Sequence, residues 1–325
     1  MKLQLQKIIG MLFAAALFLG ACQDELGIAP SATQFASLSN VAITAQTQKF
    51  TLTAATGTIT LTSTNGVKIN INSNALTKNG VPVTGAVDIT YIELFDKGHM
   101  LVANKPTMGM MPDGNLSMLK SAGEFYIKAT QGGQELSTTA LITLLVPTAL
   151  SNGLDNTMTL WTGIIGADSA LVWKNVNDLP ATTGNVGRGG VQGEKNNYYV
   201  SFGNFGWTNV DRFYSDPRPK TTILVQVPEG YDNKNSAVYL SYDGEGKNAL
   251  AKLDKFTAEG LFSEHYGQIP IGLACHIIFV SEEKGMWKYA IKGVTTKANE
   301  IYTFSTSELN SVTEADLIAA VNAIQ

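Results

Sequence analysis

Residues 58–71 alternate apolar and polar side chains with a period of two, a pattern that fits a half-buried β-strand and excludes an amphipathic helix. Ile59 and Leu61 alternate with Thr58, Thr60 and Thr62, and Val67, Ile69 and Ile71 alternate with Lys68 and Asn70. Asn65-Gly66 stands between the two runs and carries the strongest short hairpin signal. Asn79-Gly80 marks a second turn, after which Val87, Ile89 and Tyr91 resume the alternation. Further strands are expected at 124–130, 140–146, 157–162, 170–174 and 198–202. Ser215-Asp216-Pro217-Arg218-Pro219 then interrupts the pattern, because its two prolines break both helix and sheet. Strand signals resume at 222–227, 237–242, 249–256, 273–280, 287–291 and 301–304. Near the end, Ser311 and Glu314 fit a capping box, and Leu317, Ile318, Val321 and Ile324 share one helical face. The expected fold is all-β: two β-sandwich domains in tandem, 51–215 and 220–325, closed by a short C-terminal α-helix.

Composition agrees with this. Only 15% of the 325 residues are charged, against roughly 25% in an average soluble domain. Thr, Ser, Asn, Gln and Gly take their place, as on the solvent faces of an extracytoplasmic β-protein. The formal net charge of −4 argues against nucleic acid, whose phosphates require clustered Lys and Arg. A chain of this length buries a sufficient core without disulfides or metals.

The N-terminus carries an address. Lys2 and Lys7 form a basic segment, and residues 8–19 form an apolar run of about 12, too short for the roughly 20 residues of a membrane-spanning helix. Leu19-Gly20-Ala21-Cys22 follows and resembles the bacterial lipobox, which is cut before its cysteine. That resemblance implies a signal peptide at 1–21 and a diacylglycerol on the Cys22 thiol. An ordinary signal peptide that happens to contain a cysteine is the competing reading. Gln23, Asp24 and Glu25 resemble the export signal that sends lipoproteins of Bacteroidota to the outer face of the outer membrane; the alternative is an anchor facing the periplasm. Residues 22–50 are small and polar and read as a flexible tether. With Cys22 lipidated, Cys275 has no disulfide partner; its apolar surroundings at 273–280 suggest a buried, inert thiol.

The stretch Gly57-Thr58-Ile59, Asn65 through Leu76 and Val83-Thr84-Gly85-Ala86-Val87-Asp88-Ile89 resembles a pattern common in Bacteroidota surface proteins and the ZU5-type β-sandwich. Asn72 stands where the ZU5 pattern has proline. The likeness extends through 93–100, 121–127 and 205–213 and covers about residues 57–215. It implies a β-sandwich on a secreted or anchored protein and carries over no catalytic residue.

Chemistry-bearing motifs are sparse. Ser117-Met118-Leu119-Lys120 matches SxxK, but it lies between Gly114 and an expected strand where the motif should open a helix, and Lys220-Thr221-Thr222 lacks the glycine of the accompanying KTG. The three histidines, His99, His265 and His276, show no zinc spacing. Glu93, Asp96 and His99 stand near one loop and admit a metal or acid–base role, with a solvated strand end as the plainer reading. The acidic, glycine-rich 243–248 segment reads as a hairpin turn, and 180–197 as a mobile glycine-rich loop. Asp211 and Arg212 suggest a local polar network. Tyr198, Tyr199, Phe202, Phe205, Trp207, Phe213 and Tyr214 form the most suggestive binding feature, with Tyr199, Trp207 and Tyr214 as a possible ligand platform. Core packing is the competing role.

No catalytic residue, metal site or cofactor is expected. The leading functional reading is a lipid-anchored cell-surface module of the outer membrane, binding or structural and without catalysis. Its partners would be the membrane through Cys22, and surface proteins or glycans. A glycan-binding lipoprotein serving polysaccharide uptake is the first alternative. An unrecognised hydrolase with scattered carboxylates is the second.

Overall fold

The computed structural model describes residues 29–165, 171–179, 189–264 and 267–325. The signal segment, Cys22 and Gln23-Asp24-Glu25 lie outside the described residues, as do His265 and positions 180–188 of the glycine-rich stretch. The described chain is all-β, with three α-helices.

The alternating segments build an outer sheet. Thr58–Thr62 pairs antiparallel with Lys68–Asn72, placing Ile59 opposite Ile71 and Leu61 opposite Ile69. The sheet runs Gly190–Glu194, Asn197–Phe202, Ile142–Pro147, Lys68–Asn72, Thr58–Thr62. Ile69, Ile71, Leu144, Val146, Tyr198 and Val200 point inward and pack on Val87, Ile89, Tyr91, Phe125 and Ile127 of a central sheet. Facing sheets joined by one apolar layer are a β-sandwich.

The central sheet runs Gln48–Ala54, Gly85–Leu94, Leu116–Gln131, Gly206–Phe213, Thr159–Ile165, Leu171–Asn175, Met108–Met110, with Gln134–Glu135 beside the long third strand. Its second face is apolar too. Ile92, Leu94, Leu119, Trp161, Trp173 and Trp207 share a core with Ala237, Tyr239, Ile278, Val280 and Trp287 of a third sheet. That third sheet runs Ala251–Lys252, Ser236–Tyr242, Ala274–Glu283, Met286–Thr295, Asn310–Val312. Val238, Leu240, Cys275, Ile277 and Phe279 on its far side meet Val225, Phe262 and Phe304 of and beside a small fourth sheet. Every residue of Ser236–Tyr242 is buried, as expected of a strand covered on both faces, and the apolar run at 273–280 belongs to its neighbour in the same sheet.

The halves expected in tandem therefore meet over a shared core. The proline-rich join is also pinned. The Asp216 carboxylate accepts Arg218 Nε and Nη2 and the Tyr214 hydroxyl, and Arg218 Nη1 donates to the Gly272 carbonyl. Burial and the Asp216 hydrogen bond push the Tyr214 phenol up to about 12. Cys275 is fully buried, as its apolar run suggests, and burial pushes its thiol up to about 12.

Three segments differ from the sequence reading. Within the expected tether, Ala32–Ala45 is a helix, α1, and the tether's last three positions already belong to the strand Gln48–Ala54. Ser31 and Gln34 cap α1 reciprocally, Leu38 and Ala42 are buried, and the Phe35 ring meets Trp287 edge-on at 6.3 Å. Within the expected glycine-rich loop, Gly190–Glu194 forms the edge strand of the outer sheet. The C-terminal helix α3 spans Glu314–Asn322 and is capped by Thr313 through Asp316, because Asn310–Val312 is drawn into the third sheet by pairing with Trp287–Tyr289.

Trp207 sits at the seam, 8% exposed, against Tyr126 at 5.2 Å and Trp173 at 6.4 Å. Trp207→Ala is expected to lower stability by about 3–5 kcal/mol. Urea unfolding followed by far-UV circular dichroism checks this, and a loss below 1 kcal/mol would contradict the seam's role.

A groove, a polar cleft and a buried acid pair

Strand alternation decides which side chains leave the outer sheet. With Ile142, Leu144 and Val146 turned in, Leu141, Thr143 and Leu145 turn out; with Tyr198 and Val200 in, Tyr199 and Ser201 turn out. These residues, with Asn70, Gln192 and Gly190, line an open groove of about 620 Å³. Tyr199 is 48% exposed and Leu141 is 38% exposed.

The structure separates the expected aromatic platform. Tyr199 faces solvent here, Trp207 is buried between the central and third sheets, and Tyr214 lies against Tyr242 at 5.2 Å. Tyr199 and Trp207 lie on different sheets, so closeness in sequence does not bring the three rings to one surface. Asp211 and Arg212 also part: Arg212 Nε donates to Asp155 at 2.6 Å, while Asp211 is fully buried. Ser117 and Lys120 lie on one strand with opposite facing, and Lys120 pairs with Glu245 at 2.6 Å, so SxxK forms no site. His276 is half-buried and tied through Nδ1 to Asp243 at 2.7 Å, not enclosed in the core.

Glu93, Asp96 and His99 do come together, in a cleft of about 630 Å³ where α1 ends and the two halves meet. Their bonds are structural. Glu93 accepts from the Ser63 and Tyr91 hydroxyls at 2.8 and 3.0 Å, from Asn65 N and Nδ2 at 3.1 and 3.0 Å, and from Gln48 Nε2 at 3.2 Å. Asp96 caps the short helix α2, Lys97–Val102, by accepting His99 N at 3.0 Å, and it also bonds His99 Nδ1 at 2.7 Å and Asn322 Nδ2 at 2.8 Å. Burial works against the Asp96 carboxylate, but these His99 and Asn322 bonds outweigh it and lower its pKa. The same Asp96 bond raises the His99 imidazole against the opposing effect of burial. Among the described residues, no group of three or more His, Cys, Asp or Glu side chains is arranged to hold a metal.

The 243–248 segment proves to be a clamp between the halves, a role its turn-like composition did not disclose. Asn248 Nδ2 donates to the Ser121 carbonyl, and Ser121 N donates to the Asn248 carbonyl. Fully buried Lys97 donates from Nζ to Ser241 Oγ at 2.8 Å, the Gly246 carbonyl at 3.2 Å and the Ile324 carbonyl at 2.9 Å. Burial lowers its pKa. Three acceptors satisfy the three donors of an ammonium, the arrangement a buried lysine requires.

At the heart of the central sheet, Glu124 and Asp211 are both fully buried. Asn209 Nδ2 donates to Asp211 Oδ2, and Ser121 Oγ donates to Asn209 Oδ1 at 2.8 Å. Burial, reinforced by the Asp211 charge, raises the Glu124 pKa well above a normal glutamate; Lys105 and the nearby Trp173 indole offset it only in part. Burial likewise raises Asp211.

No protein-family model matches the chain, and neither a curated protein nor a solved structure matches it.

Because Glu124 keeps its proton in the folded state more tightly than in the unfolded state, its contribution to stability falls as pH rises from the unfolded value toward the raised folded value. Glu124→Gln removes that titration. The variant should match the parent near pH 4 and gain on it progressively to pH 8, measured by thermal melts across that range. Parallel pH profiles would contradict the protonated, buried acid.

Proposed function

We propose that the protein is a lipid-anchored outer-membrane module, displayed to the cell exterior, that binds a ligand and performs no chemistry. The observation that carries the binding role is the open groove on the outward face of the outer sheet. It lies on the side of the central sheet opposite the core into which α1 packs. Tethering through α1 would leave that sheet on the far side of the body from the helix that leads to the anchor. Anchoring rests on the lipobox ending at Cys22, and the outward orientation on Gln23, Asp24 and Glu25. The ZU5-like resemblance of residues 57–215 belongs to the same proposal and fits a display domain.

Binding is preferred to hydrolysis because the carboxylates nearest to an open cleft are committed to the fold. Glu93 carries five hydrogen bonds, and Asp96 is engaged by a helix terminus, an imidazole and an amide. A general base needs a lone pair left for the substrate, and five accepted bonds leave Glu93 none.

Cys22→Ala should move the protein from the membrane fraction to the soluble fraction, read by immunoblot of fractionated cells. Protease added to intact cells should degrade the parent protein. Retention of Cys22→Ala in the membrane overturns the lipid anchor, and survival on intact cells with loss on lysed cells overturns the outward orientation.

A further inference from the structure

We infer that the outward face of the outer sheet is a platform for a neutral polysaccharide chain; this rests on the binding role proposed above and supplies its ligand class. Backbone register aligns the side chains in rows across the strands. Ser201 stands opposite Thr143, and Thr143 stands opposite Asn70. In the neighbouring row, Gln192 is opposite Tyr199, and Tyr199 is opposite Leu145. Across the three strands of each row, at about 4.8 Å spacing, the named side chains run about 10 Å, a length that suits about two linked sugars.

The chemistry of the rows matches a pyranose chain. One face of such a ring is C–H and the rim is hydroxyl. Tyr199 offers a half-exposed ring beside the partly exposed Leu145 for the C–H face. The polar row retains bonding capacity. Asn70 Oδ1 accepts from Thr60 at 2.6 Å, and its Nδ2 donates one hydrogen to Thr143 Oγ1 at 3.2 Å. The second Nδ2 hydrogen and the Thr143 hydroxyl hydrogen remain for a ligand. Gly190 lies opposite Ser201, and a Cβ there would meet nothing within 4 Å, so the space over that end of the row is open.

Charge and backbone select the occupant. Among the described residues no charged side chain lines the groove itself, and Lys68, opposite Leu145, stands beyond it at the end of one row, which favours a neutral occupant over a basic or acidic peptide. A peptide adding as a strand needs the unpaired backbone of a sheet edge. The groove begins on the edge strand Gly190–Glu194 but extends over the face of the paired strands Asn197–Phe202, Ile142–Pro147 and Lys68–Asn72, where recognition falls to side chains.

The test is native electrophoresis of the full-length lipidated protein in detergent through gels containing a soluble β-glucan, xylan, α-glucan or galactomannan, with alginate as the anionic control. At least one neutral polymer should retard the protein. Tyr199→Ala and the more strand-compatible Tyr199→Thr should each weaken that retardation at least about tenfold, with melting temperatures near the parent's. Thr143→Ala should weaken it less. Absence of retardation by all four neutral polymers, or retardation unchanged in both Tyr199 variants, overturns the inference. Tyr199-dependent retardation by alginate alone overturns the ligand class while leaving a binding module, and failure of the Cys22 and protease experiments strikes the surface reading separately.

Discussion

The architecture depends on a central sheet that is apolar on both faces. A sheet with one apolar face is completed by a single partner; this one needs two. Val87, Ile89 and Tyr91 must be covered from one side, and Ile92, Leu94, Trp161 and Trp207 from the other. The outer sheet supplies the first cover, and the third sheet with α1, α2 and α3 supplies the second. The third sheet inherits the same need, since Tyr239 and Ile278 face the central sheet while Leu240 and Ile277 face away. Burial of one strand thus propagates a stack of layers, and the proline-rich join is a short span within it.

Such a stack encloses polar groups, and the chain meets most of them with specific partners. Lys97 is enclosed where α2, the third sheet, the 243–248 segment and the chain just past α3 converge, and the Ser241 hydroxyl with the Gly246 and Ile324 carbonyls takes its three protons. Asn248 and Ser121 exchange bonds across the same seam. Removing one partner from a buried charge is costly, so these bonds fix how the halves register. Glu124 is met differently: burial favours its neutral form, which lessens the need for a counter-charge.

Much of the fold is legible in the chain because period two is a local property. The Ile59/Leu61 and Ile69/Ile71 hairpin, the buried runs around Tyr239 and Ile278 and the terminal helix all announce themselves within a few residues. What escapes is set by distant partners. Helix α1 looks like a tether because its residues are small and polar, although Ser31 and Gln34 spell a capping box and Phe35, Leu38 and Ala42 follow helical spacing; its apolar side is completed by Trp287, far along the chain. The groove is half-legible. Tyr199 stands out as an aromatic in an alternating strand, whereas Asn70, Thr143 and Ser201 join it only through cross-strand register. Trp207 misleads for the converse reason: its nearness to Tyr199 in sequence conceals that the two lie in different sheets.

Helix α1 also sets a leash. With a lipid on Cys22, residues 23–31 alone separate the bilayer from the first turn of a docked helix, and at about 3.5 Å per extended residue they reach no farther than about 30 Å. A free 29-residue tether would let the body tumble at many heights. On the proposed anchor, the shorter leash would hold the first turn of α1 within about 30 Å of the lipid surface, so a long polymer passing the cell would meet many copies of the same face at nearly one altitude.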